Sequence, residues 1–210
     1  SLFVVFSNAL SGTYAHVKQH RVYFKAAIPF AMSTLPGAIL GSLVSDYFTG
    51  PTFSLSYGIF LLIISAIMYW NSSNKKAIAT NFDETLFIAR KKLGIILSMF
   101  VGFISSIFGI GGGIIHVPVM IYALAFPPHM ATATSHFVLA VSSFMGVTSH
   151  IFLNHIVWIP ALAVGFGAVI GAQIGARLSK KTKPRSIILL LCISLFLLGI
   201  RMIVESNLLF

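Results

Sequence analysis

The sequence predicts an all-α polytopic membrane protein. It is expected to hold two inverted-topology repeats of transmembrane helices, each with a glycine-rich broken-helix hairpin, the first copy's hairpin being absent from this chain. Three observations predict it. Of 210 residues, 57% are hydrophobic and only 9% charged, against about 25% charged in a soluble domain. Apolar runs bounded by charges or turn residues follow one another along the chain. The two ends of the chain also match each other without a gap, with reversed charge in the loops.

The apolar runs predict helices over 1–17, 22–46, 52–70, 93–109, 113–126, 130–153, 156–179 and 186–204. Most approach the roughly 20 residues that a bilayer span requires. The run 113–126 is the exception, at about 14 residues and ~21 Å, too short to cross. The polar stretch from Asn71 to Lys92 reads as a linker, dividing an N-terminal repeat (1–70) from a C-terminal one (93–210).

An offset of 134 residues sets Ser1 on Ser135, Gly12 on Gly146, His16 on His150, Gly37 to Gly41 on Gly171 to Gly175, and Met68 on Met202. Glycines and a histidine in register mark a tandem repeat. Lys18, His20, Arg21 and Lys25 precede the second span of copy one, whereas the matching "NHIVW" loop from Asn154 has no Lys or Arg. The next loop reverses this, with Asp46 alone in copy one and Lys180, Lys181, Lys183 and Arg185 in copy two. Lys and Arg mark the cytoplasmic side, so equivalent loops are expected on opposite faces and the linker 71–92 in the cytoplasm. This inverted pattern is frequent in secondary transporters. The first copy begins at the equivalent of Ser135, so its own hairpin is expected in roughly 40 to 50 upstream residues.

The net charge of +10 sits in short clusters between spans, which the positive-inside rule explains better than nucleic-acid binding. A single cysteine, Cys192, excludes a disulfide framework. The four acids, Asp46, Asp83, Glu84 and Glu205, lie in loops or at the chain end. That inventory supports no nucleophile–base–acid set, so no enzyme is expected, and no cofactor or metal site.

The chemistry concentrates in "FGIGGGIIHVP", Phe108 to Pro118. Residues 92 and 128 must both be cytoplasmic if 130–153 runs outward, so 93–109 and 113–126 form a hairpin bending at "GIGGG". Adjacent glycines permit a sharp turn. The helix after them offers N–H groups without partners and a positive dipole end, which favours an anion; a tight turn with nothing bound is the bland alternative. In "HMATATSHF", Thr132 and Ser135 share a helix face, their hydroxyls either donating to an oxyanion or bonding back to the helix. The small residues of 165–178 predict close helix packing. Gln173 either bonds across helices or faces a substrate path. His16 and His150 read as proton carriers or interfacial anchors.

"FGIGGGIIHVPVM", "ATATSHF", the histidine after "GVTS" and "GAVIGAQIGARLS" closely resemble the sulfite exporter TauE/SafE family. Copy one resembles it from "SLFVVFSNALSGTYAHVKQHRVYF" onward. The resemblance implies an inner-membrane secondary transporter that exports sulfite, sulfoacetate or another organosulfonate. It also implies that the glycine stretch and the Thr-Ser pair line the pathway. The substrate-binding residues expected are therefore Gly109, Gly111, Gly112, Gly113, Thr134 and Ser135, joined by Ser1, His116, Asn8 and Gln173. The partners expected are a small anion and membrane lipid; a homo-oligomer is left open. An anion channel and a non-transporting membrane scaffold are the competing readings.

Overall fold

A computed structural model describes residues 2–45, 51–73, 82–108, 112–152 and 158–207. Ser1, Asp46, Gly109 and Gly111, the "NHIVW" loop except Trp158, and the His150 side chain fall outside the described set. Among the described residues eight helices follow in order: α1 (Leu2–Lys18), α2 (Phe24–Ser45), α3 (Pro51–Ser73), α4 (Glu84–Phe108), α5 (Gly113–Tyr122), α6 (Pro128–Phe152), α7 (Trp158–Lys181) and α8 (Pro184–Asn207). Helices α2, α3, α4, α7 and α8 each contain a stretch long and apolar enough to cross a bilayer.

The largest departure from expectation is the start of α4, at Glu84 rather than residue 93. Asp83 caps it: Oδ1 accepts from the Thr85 hydroxyl (2.6 Å), the Thr85 N–H (2.9 Å) and the Leu86 N–H (3.1 Å). The Thr85 hydroxyl first, and the backbone donors with it, hold the Asp83 carboxyl below its ordinary range. An N-cap acid satisfies first-turn donors that otherwise have none. Arg90, Lys91 and Lys92, read as linker residues, therefore lie on a helix. Glu84, in the same turn, accepts from Lys25 Nζ (2.7 Å) and Tyr23 OH (2.9 Å), tying the start of α4 to the start of α2.

Helix α1 packs on α6 and α7, α2 on α4 and α6, and α3 on α8. The repeat-related helices α1 and α6 are antiparallel: the rings of Phe6 and Phe144 lie 5.6 Å apart, and those of His16 and His136 5.4 Å apart. Between these contacts Asn8 comes level with Ser142, its counterpart at the 134-residue offset. The pair α3 and α8 is antiparallel too, since Gly58 meets Gly199 and Ile203 while Ser65 Oγ donates to the Cys192 carbonyl at 3.0 Å.

Helices α1 and α6 each carry three of the buried serines, threonines and histidines among the described residues: Ser11, Thr13 and His16 on α1, and Thr134, Ser135 and Ser143 on α6. Polar side chains in apolar surroundings need partners, and these two helices find them in each other and in α2, α5 and α7. The outer helices present Ile59, Ile63 and Ile67 on α3, and Leu190, Leu197 and Val204 on α8, to the surroundings. The buried core centres on Phe30, Leu61, Met68, Met120, Leu124, Phe126, Ile188 and Leu195.

Small residues set the α2–α4 approach. A Cβ at Gly37 would collide with the Met99 carbonyl, one at Gly41 with the Phe103 carbonyl, and one at Gly102 with the Thr34 carbonyl. Their counterparts on α7 behave differently. Gly165 meets the Phe3 ring at 3.2 Å, but Gly167, Gly171 and Gly175 have open space within 4 Å among the described residues. The close packing expected of residues 165–178 is thus found at one end of that stretch only. α2 meets α4 across its glycines, and the described residues hold no equivalent of α4 beside α7.

The expected hairpin is present. Arg90 donates to the Ala123 carbonyl (2.9 Å), Ser98 meets His116, and Gly112 lies against Ser105, so α5 runs back along α4. Its ten residues end at Tyr122, four short of the expected limit. The chain turns there through Ala125, at φ +57°, before Pro128 opens α6.

Candidate functional site

Where α5 begins, four helices leave a small cleft with a few polar groups among apolar ones. Gly112 stands at the α5 N-cap with φ +83°, a left-handed conformation, and no side chain caps the helix. Glycine adopts that conformation freely, whereas other residues are strained there. The backbone therefore turns into α5 beside the cleft, with the Ile115 and His116 N–H groups bonded to the Gly112 carbonyl at 3.2 and 2.9 Å. Gly112, Gly113 and His116 line it from α5, Thr34 from α2, Val101 from α4, and Ser135, Val138, Leu139 and Ser142 from α6.

His116 organises the site. It is buried, with Nε2 2.9 Å from Ser98 Oγ and Nδ1 3.0 Å from Ser135 Oγ, and the Phe30 ring packs on it edge-on at 5.9 Å. A neutral imidazole has one N–H and one bare nitrogen, so the chain of three runs in one of two directions. With Nε2 protonated, Ser135 gives its hydroxyl proton to Nδ1. With Nδ1 protonated, Ser98 donates to Nε2, Nδ1 donates to Ser135, and the Ser135 proton is free for the cleft. An anion selects the second arrangement. Ser105 adds a buried hydroxyl without a hydrogen-bond partner, 3.2 Å from where a Gly112 Cβ would stand.

Among the described residues no Lys, Arg, Asp or Glu lines the cleft. Its free volume, about 10 Å³, is about what one water needs. A larger occupant requires the helices to part.

The other expected residues divide. Thr134 is fully buried, but its Oγ1 accepts the Tyr23 N–H at 3.2 Å, on a different side of α6 from the cleft. Its role is to hold the start of α2, because successive helical residues point about 100° apart. Thr132 bonds back to the Pro128 carbonyl at 2.9 Å and does not join Ser135. Gln173 donates from Nε2 to the Ser11 carbonyl (2.9 Å) and Oγ (3.0 Å), while Ser11 donates to the Val169 carbonyl (2.9 Å). That network clasps α7 to α1, away from the cleft. Asn8 is half-buried on α1 and does not line the cleft.

Ser98, Ser105, Thr34 and Ser142 were not singled out from the sequence. A signal existed: Ser98 and Ser105 are seven apart on α4, as are Ser135 and Ser142 on α6, and seven residues is nearly two helical turns. Each pair thus puts hydroxyls on one face of an apolar helix. The split between neighbours 134 and 135 is testable. Ser135→Ala is expected to weaken anion binding at least about tenfold, and to lower stability by about 1 kcal/mol because the buried His116 Nδ1 loses its partner. Thr134→Ala should lower stability by about 1 kcal/mol, as the Tyr23 N–H loses its acceptor, and leave affinity nearly unchanged. Binding isotherms and thermal melts of the two variants check this.

The model of the family described as "Sulfite exporter TauE/SafE" matches residues 1–202. The probable membrane transporter protein YunE of Bacillus subtilis (strain 168) is 34% identical over 217 residues, covering 98% of this chain and 80% of that protein. A probable membrane transporter protein of Methanocaldococcus jannaschii is 28% identical over 213 residues, covering 97% of this chain and 77% of its own length. A third, from Sinorhizobium sp, is 26% identical over 197 residues, with 94% and 74% covered. No solved structure matches. An all-α chain with five apolar spans, a glycine hairpin and that similarity is a multi-pass membrane protein and no enzyme; it belongs to the sulfite exporter TauE/SafE family of membrane transporters.

Proposed function

We propose that this protein exports a small sulfur-containing anion, such as sulfite, sulfoacetate or another organosulfonate, across the cytoplasmic membrane as a secondary transporter. The observation that carries the reading is the uncharged donor set at the start of α5. A helix start opened by a left-handed glycine, the Ser135 hydroxyl and its His116 support meet at one cleft. Such a set suits a compact oxyanion, since the helix dipole and aligned donors offset negative charge without an ion pair. Fixed lysines or arginines would hold the anion more tightly, which opposes release. The segment 74–83 between α3 and α4 lies in the cytoplasm in this reading, as the positive-inside rule places it.

The small cleft favours a carrier over a channel. An open anion pore needs a continuous wide path, whereas a cleft of about 10 Å³ admits substrate only through a conformational change. Broken helices meeting at a repeat interface are how carriers build such sites.

A thermal-shift screen of oxyanions and sulfonates on the purified protein tests this. A bound anion stabilises by mass action, about 2.7 kcal/mol at one hundred times Kd, so sulfite or a sulfonate should raise the melting temperature by several degrees. Flux in proteoliposomes then separates the mechanisms: a carrier moves the anion uphill against a pH or sodium gradient, a channel only downhill. No shift and no flux with any member of the panel would leave the scaffold reading standing.

A further inference from the structure

A second polar cluster lies where α1 ends against α6. His16 is buried, and its Nδ1 has no hydrogen-bond partner. Thr13 Oγ1 and Gln19 Oε1 are likewise buried and unpartnered. Residues 13 and 16 are spaced three apart on one side of α1, and Gln19 follows in the turn just after the helix, its Nε2 donating to the Ala176 carbonyl at 3.2 Å. Facing them is His136, its ring edge-on to that of His16 with centroids 5.4 Å apart. Gly12 makes room for this ring: a Cβ there would stand 2.5 Å from His136 Cδ2.

The protonation of His136 follows from its partner. Nδ1 lies 3.0 Å from the Thr132 carbonyl, and a carbonyl only accepts. Nδ1 therefore carries the hydrogen, and Nε2 is left as a bare lone pair. Two imidazoles in contact, one with a fixed basic nitrogen and one with an unpartnered nitrogen, make a place for a proton.

We propose that His16 and His136 form a proton-binding pair, distinct from the anion cleft, that takes up one proton when the anion binds. The proposal rests on the anion reading of the cleft. Its charge logic is local. Arg21 stands beside the pair with Nη1 3.5 Å from His129 Nδ1. Glu84 is held by Lys25 and Tyr23. Lys18 and His20 on this side, and Arg177 on α7, are exposed. Among the described residues no carboxylate pairs with His16 or His136, and a buried charge without an opposite charge is disfavoured. An anion at Ser135, the residue next to His136 in the chain, supplies that charge. Each ligand then raises the affinity for the other, and the coupling is reciprocal. The unpartnered nitrogen, hydroxyl and amide oxygen lining the cluster form a polar route for the proton.

Calorimetry on the purified full-length protein, with methanesulfonate and sulfoacetate as probes, tests this in two buffers of different ionisation enthalpy. Across about pH 6–8 the wild type is expected to take up close to one proton per anion bound. His16→Gln and His136→Gln should still bind the probe, at least about tenfold more weakly, and take up no proton. Anion binding without proton uptake by the wild type overturns the pair and leaves the anion cleft intact. Failure of both probes to bind the wild type removes the anion reading and the pair together. Should the variants not fold, histidine ¹⁵N spectra of the wild type decide: anion-induced protonation of His136 Nε2 supports the pair, and an unchanged ring overturns it.

Discussion

Gly112→Val is expected to abolish anion flux while the protein still inserts into the membrane. Gly112 sits at φ +83°, where a β-branched residue is a marked outlier. The strain costs on the order of 1–3 kcal/mol, concentrated at the entry to α5. A Cβ would also stand 3.2 Å from Ser105 Oγ, and the valine methyl groups would extend beyond it. The backbone must rotate to relieve both, which displaces the start of α5 at the cleft. Gly113→Ala is the control. Its Cβ meets only the Leu139 Cδ2 methyl, at 3.1 Å, the far end of a flexible side chain, so flux should stay within about threefold of wild type, as small repacking changes are tolerated. Membrane-fraction yield and proteoliposome flux of labelled sulfite or sulfoacetate, measured for both variants, check this. Normal flux in Gly112→Val would remove the glycine from the mechanism.

The second large effect is expected at His116. His116→Leu conserves approximate volume but strips the partners from the Ser98 and Ser135 hydroxyls, both buried. Each orphaned hydroxyl costs about 1–3 kcal/mol. The melting temperature should therefore fall by several degrees, and anion binding should be lost, because Ser135 no longer has a donor behind it. Adding Ser98→Ala to His116→Leu removes one orphan and should recover about 1 kcal/mol, while Ser98→Ala alone destabilises. That sign reversal is the signature of a coupled pair. Thermal melts of the four proteins in the cycle measure it; additive effects would show that the hydrogen bonds contribute nothing.

Much of the fold was legible because a bilayer restricts the options. With backbone groups obliged to pair internally, long apolar runs become helices, and six of the eight were placed within about three residues at both ends. The start of α4 was missed because Arg90, Lys91 and Lys92 looked like the end of a span. Their side chains reach outward from a helix already under way, which Asp83 caps in polar sequence. The end of α5 was missed because residues 123–126 are apolar without being helical. Ala125 and Phe126 turn the chain, and Phe126 is buried as part of the core.

The site was legible in outline and not in detail. The glycine run announced a break, and Gly112 and Gly113 lie at the cleft. The Thr-Ser pair divides: Ser135 lines the cleft and Thr134 meets Tyr23, a distinction that depends on which neighbour each helix face meets. His16 read as a proton carrier or an interfacial anchor. It is buried against His136, which sequence spacing cannot show because the two are 120 residues apart.

By itself, the sequence determined that the chain is a bundle of membrane helices with a glycine-opened hairpin, and it predicted a tandem repeat. Composition, periodicity and the register of glycines are local or self-referential, and need no knowledge of packing. Only the tertiary structure decided that Ser98, His116 and Ser135 form one hydrogen-bonded chain. It alone separated Thr134 from the cleft and put Gln173 to work clasping α7 to α1. Those outcomes turn on helix rotation and on neighbours distant in sequence, and a buried polar atom takes its role from whichever partner the fold brings within about 3 Å.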